Sequence, residues 1–126
     1  MSSRKNGTAA HDAIALAHGR RSGYDLARMR YEVVLAPEAI QDLRKLPANE
    51  RAVAWDGMER NLRYQPARTA RSRVKRLRGV SRPQYRLRVE DLRIFYDIDG
   101  STVEVLAIVP KARATEWLAQ FGEGEL

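Results

Sequence analysis

The chain has no cysteine and only two histidines in its 126 residues. Without cysteine there are no disulfides and no thiolate zinc site, which fits a reducing cytoplasm, the expected location. His11 and His18 are seven positions apart on one stretch and have no third ligand with them. They make a poor metal pair, so neither a metal nor a cofactor is expected. No apolar run approaches the roughly 20 residues of a membrane span. The basic start lacks the apolar segment of a secretory signal, so no membrane association is expected. Acidic residues are also scarce where basic ones are densest. Between Arg68 and Arg93, ten arginines and lysines are opposed only by Glu90 and Asp91.

What is present describes one folded, basic domain. The apolar content of 44% is ordinary for a globular chain, and 126 residues suffice for a modest core. The net charge is +7. In the basic stretch arginine greatly outnumbers lysine, which suits planar, bidentate phosphate contacts better than simple solubility. A polyanionic partner follows, nucleic acid first and an acidic protein segment second, against the plainer reading of a solvated basic surface.

Residues 1–28 read as an extension outside the domain proper. They hold a polar start, a short alanine-based helix over 8–18 and a linker over 20–23. The domain is expected over 29–121, with a tail at 122–126. A strand over 30–35 leads into a helix opened by Pro37 and Glu38, with Ala39, Ile40, Leu43 and Leu46 inward and Asp42 toward water. Pro47 breaks it. A second helix runs to about Tyr64 with Ala52, Trp55, Met58 and Leu62 as its apolar face, and Gly57 inside it marks close packing.

A strand over 74–78, a turn at 81–83 and two alternating strands follow. Tyr85, Leu87 and Val89 point one way and Arg86 and Arg88 the other; beyond a tight Glu90-Asp91 turn, Leu92, Ile94, Tyr96 and Ile98 alternate with Arg93, Phe95 and Asp97. Paired antiparallel, these strands put three guanidinium groups on one face. Adjacent like charges are destabilising, and an anionic ligand would neutralise them. Asp99-Gly100 signals a hairpin into a strand over 103–109. Pro110 then opens a last helix, 111–121, with Ala114, Trp117, Leu118 and Phe121 on one face. The order β-α-α-β-β-β-β-α predicts an α+β fold, with helices packed on one side of a mostly antiparallel sheet.

The segments LAPEAIQDLRKLP, VKRLRG, YRLRVEDLRIFYDI and VEVLAIVPKARATEWL, in this order and spacing, resemble the RelE/ParE superfamily of bacterial type II toxin–antitoxin toxins over residues 30–118. The resemblance implies a small curved sheet flanked by helices and a cognate antitoxin as partner. RelE-like members cut messenger RNA on the ribosome without metal, making the 2′-hydroxyl attack the adjacent phosphate. ParE-like members inhibit DNA gyrase by binding it. Matched by strand position, the catalytic set falls on Arg86, Arg88, Arg93 and Lys111, with Arg76, Arg78, Arg113 and Trp117 as RNA contacts. Trp117 stands where RelE-like enzymes carry tyrosine, and indole is neither acid nor base. The expected function is therefore a ribosome-dependent mRNA endonuclease, with gyrase inhibition as the alternative. A third possibility is a decayed toxin left only with antitoxin binding.

Overall fold

A computed structural model describes residues 30–69 and 73–124. The anticipated helix at 8–18, the linker, His11 and His18 lie outside the described residues. The chain runs β1 (Glu32–Leu35), α1 (Pro37–Lys45), α2 (Ala48–Leu62), β2 (Val74–Arg76), β3 (Val80–Arg82), β4 (Tyr85–Val89), β5 (Leu92–Asp99) and β6 (Thr102–Pro110). A 3-10 turn (Lys111–Arg113), α3 (Ala114–Phe121) and β7 (Glu123–Gly124) complete it. Five strands form one sheet in the order β1-β6-β5-β4-β2, with β1 parallel to β6 and the other pairs antiparallel. This is the α+β architecture expected.

Two apolar layers flank the sheet. On one face Leu87, Ile94, Tyr96, Val103 and Val105 are fully buried with Ala39, Ala54, Met58 and Leu62 of α1 and α2. On the other, Phe95, Ala107 and Val109 pack against Ala114, Trp117 and Leu118. The helical hairpin of α1 and α2 packs on one face as expected, and only the last helix departs, since α3 covers the reverse face. A bulge makes this possible. Phe95 pairs with Ala107 but Tyr96 with Val105, so the register skips Leu106. Val103 and Val105 thereby serve the first layer while Ala107 and Val109 serve the second.

Several finer expectations change. In α2 the inward stripe is Ala54, Gly57, Met58 and Leu62, whereas Ala52 is exposed and Trp55 is 45% exposed. The reason is contact distance. A Cβ on Gly57 would lie 2.5 Å from Val89 Cγ2, so the helix approaches β4 through its smallest residues rather than its largest. Ile40 is likewise turned outward on α1, and Asp42, expected toward water, is half-buried with its carboxylate accepting the Ile108 N–H at 2.9 Å. β2 stops at Arg76. The segment expected only as a turn at 81–83 includes β3, and part of the tail forms β7 beside it. Ser81 Oγ also donates to the Glu123 and Gly124 carbonyls. Tyr85 and Tyr96 are core as expected: their rings stack at 5.4 Å, and Tyr96 donates its hydroxyl to the Pro66 carbonyl at 2.6 Å.

Candidate functional site

β4 and β5 place Arg86, Arg88 and Arg93 on one face, and the register sets Arg88 directly opposite Arg93. Arg86 stands opposite Phe95 on one side and Lys75 on the other. The turn between the strands requires a positive φ at Glu90 (51°). Arg93 stabilises that turn: its Nη1 donates to the Glu90 and Leu92 carbonyls, each at 2.9 Å, and the residue is 8% exposed. Burial, followed by the neighbouring Arg88 charge, pushes the Arg93 guanidinium below its ordinary value, with Asp91 opposing. Burial also lowers Arg86, with Arg93 and Arg88 adding to the effect. Both shifts have one meaning. The face concentrates positive charge under partial desolvation, and a bound anion would relieve it.

Lys111 is exposed at the end of β6, and its backbone N–H donates to the Asp91 carbonyl at 2.7 Å, which sets it against the same turn. Arg113 is exposed and lines a cavity of about 430 Å³ with Lys45, Glu116 and Trp117. Arg78 is exposed in the loop after β2. Arg76 is not brought to the site. It is in register with Tyr85, on the opposite face, where its guanidinium lies 5.2 Å from the Tyr85 ring and donates to the Gln84 carbonyl. Trp117 is stacked on Phe95, with centroids 4.8 Å apart and planes 7° from parallel, and touches Phe121 on a tilt. One indole face is therefore covered by the core.

Two neighbours of the site escaped the sequence reading. Lys75 joins the row through its pairing with Arg86, and the Arg73 carbonyl accepts the Arg88 N–H at 2.7 Å. Both belong to the visible basic run, but only the pairing of β2 with β4 singles them out. Among the described residues, no three histidine, aspartate or glutamate side chains are grouped to hold a metal ion.

Comparison with known proteins identifies the family. The family model described as "ParE toxin of type II toxin-antitoxin system, parDE" matches residues 33–115. The chain belongs to the RelE/ParE superfamily of toxins. No curated protein sequence matches it. Among solved structures, the archaeal RelE–RelB complex from Pyrococcus horikoshii OT3 is 25% identical, with a TM-score of 0.56 over 68% of this chain and 100% of that one. The toxin–antitoxin complex RelBE2 from Mycobacterium tuberculosis is 28% identical, with a TM-score of 0.55 over 67% and 94% of the two chains. A mutant of E. coli toxin RelE in the free state shares the fold at 22% identity, with a TM-score of 0.54 over 72% and 93%. The family model thus carries the ParE name and these structures the RelE name. This chain is a type II toxin of the superfamily that contains both.

Proposed function

We propose that this toxin is a ribosome-dependent, metal-independent endoribonuclease that cuts messenger RNA, with Arg86, Arg88 and Arg93 holding the scissile phosphate. The observation that carries the reading is the cross-strand Arg88–Arg93 pair with Arg86 on the same face. Attack of the 2′-hydroxyl on phosphorus, losing its proton as the P–O5′ bond breaks, yields a 2′,3′-cyclic phosphate and a 5′-oxygen that takes up a proton. Negative charge builds on the phosphoryl oxygens on the way, and prearranged cations stabilise it. Arginine stays protonated at ordinary pH and is not the proton acceptor. Lys111 supplies the nearby amine of the set, its backbone N–H joined to the turn that Arg93 stabilises. Arg78 and Arg113 flank the site as RNA contacts. The resting state is a complex with a cognate antitoxin whose acidic segment covers the arginine face, a charge-steered association that weakens as salt rises.

A second reading, gyrase inhibition by protein binding, is favoured by the packing of Trp117 on Phe95 and by the name of the matching family model. One paired experiment separates the two. Primer extension on ribosome-bound message should show new 5′ ends that persist when EDTA is added at a level that leaves ribosomes intact. Gyrase supercoiling, assayed beside it, should be unaffected. Whole messages together with blocked supercoiling would replace the nuclease reading with the gyrase one.

A further inference from the structure

Away from the arginine face, between the end of α2 and the start of β2, lies a groove of about 600 Å³ whose lining includes Arg60, Asn61, Tyr64, Arg68 and Arg73 and, among the described residues, no carboxylate. Tyr64 is 51% exposed, although its neighbour Leu62 is fully buried. The loop that follows Tyr64 is anchored: Pro66 is buried, and its carbonyl accepts the hydroxyl of the buried Tyr96. Arg68 is held to the same turn through its backbone N–H on the Gln65 carbonyl and its Nη1 on Gln65 Oε1. Arg60 pairs with Asp56 at 3.0 Å, but both side chains are largely exposed, so the pair is weak and readily exchanged for a phosphate.

The groove is joined to the basic face through Arg73, which lines it and whose carbonyl accepts the Arg88 N–H. β2 is the edge strand, so no described strand of the sheet lies beyond it at that point. Planar cations spaced around an exposed aromatic ring match the chemistry of a single strand: phosphates for the guanidinium groups and a base face for the phenol ring. A duplex would not offer its bases to Tyr64, and an acidic peptide would use the guanidinium groups but needs an apolar side chain of its own to cover the ring.

We infer that this groove is a second RNA-binding surface, an exosite that takes single-stranded RNA continuing past the sheet edge, with Arg60 and Arg68 on phosphates and Tyr64 stacked on a base. The inference rests on the reading that RNA is the target, but not on the cutting step.

Its test is fluorescence anisotropy of a 5′-labelled twelve-nucleotide oligouridine with the full-length toxin at several salt concentrations. Tyr64→Ala should weaken binding by about five- to hundredfold, the range for one base stacked on an aromatic ring. The double variant Arg60→Gln/Arg68→Gln should lower the slope of log K against log salt by about 0.7 for each phosphate no longer neutralised. Circular dichroism should show all variants folded, since all three side chains are on the surface. Wild-type affinity and slope in both variants would overturn the exosite. So would an equal fall in affinity for labelled polyglutamate, which would make the groove a seat for an acidic protein segment. Weaker RNA binding in the variants with no message cleavage by the wild type would keep the exosite and remove the nuclease. Cleaved messages with unchanged variant affinity would do the reverse.

Discussion

Beneath α1 and α2 the sheet presents Leu87, Ile94, Tyr96, Val103 and Val105, each with no exposed surface. The reverse of the same strands carries Phe95, Ala107 and Val109 under α3, and beside them Arg86, Arg88 and Arg93. The centre of one face is made by apolar burial, with Arg76 at its edge over Tyr85, and the other is divided between a small aromatic cluster and concentrated positive charge. The first face holds the fold together, worth about 1.5–3 kcal/mol per large side chain removed from water. The second tolerates a like-charge pair that weakens the sheet. A protein retains such a pair where binding requires it.

Substitutions at Leu87 and Arg93 contrast the two faces most strongly. Leu87→Ala should destabilise by about 2–5 kcal/mol, since the site is fully enclosed, as read from urea denaturation. A change below about 1 kcal/mol would mean that the layer under α2 is looser than described. Arg93→Ala should lower message cleavage by about 10²–10³-fold, the usual effect of removing one transition-state donor. Arg93→Lys should recover only part, because an ammonium cannot reproduce a planar fork. If Arg93→Ala cuts normally, the residue's role is confined to the Glu90 turn.

Gly57→Ala tests the helix side of the first face. The added methyl meets Val89 at 2.5 Å, and such overpacking should cost about 1–3 kcal/mol despite the better helix propensity of alanine. Arg88→Gln should have the opposite sign. Relieving the charge pair should raise stability by about 0.2–1 kcal/mol while weakening RNA binding, so activity and stability part company at one position. A drop in stability there would show that the like charges are already compensated.

The smallest effect concerns pH. Asp97 is ion-paired with Arg82 at 3.1 Å, yet burial outweighs that pairing and the Gln84 N–H bond and holds its carboxyl above the ordinary value, with Glu104 and Glu123 adding. A raised folded-state value means that the folded chain holds this proton more tightly than the unfolded one. The contribution therefore favours folding at low pH and is lost as pH rises through the carboxylate range. Arg82→Ala should move Asp97 higher still in an NMR titration. No movement would mean that the Arg82 contact is not maintained in solution.

Much of this was legible in the chain. The alternation in 85–98 fixes which residues share a face, because a strand has period two and two buried layers leave no freedom in register. The arginine face followed directly from it. What escaped depended on partners distant in sequence. Trp55 carries the apolar periodicity of a core residue, but periodicity does not report size, and α2 docks through Ala54 and Gly57. The ribbon of β3 and β7 carries little apolar signal in either strand and exists through pairing across some forty residues. Arg76 and Arg86 belong to the same basic stretch, yet parity within two different strands sends them to opposite faces. Trp117, with both a packing and a stacking role available from sequence, is held against Phe95.

The contact between Gly57 and Val89 also constrains how this toxin can evolve. The two positions lie thirty-two residues apart in the chain but share one volume, so a change of size at one is felt at the other. A larger residue at 57 is accommodated more readily once 89 has become smaller. Related toxins should therefore tend to exchange bulk between these two sites as a pair.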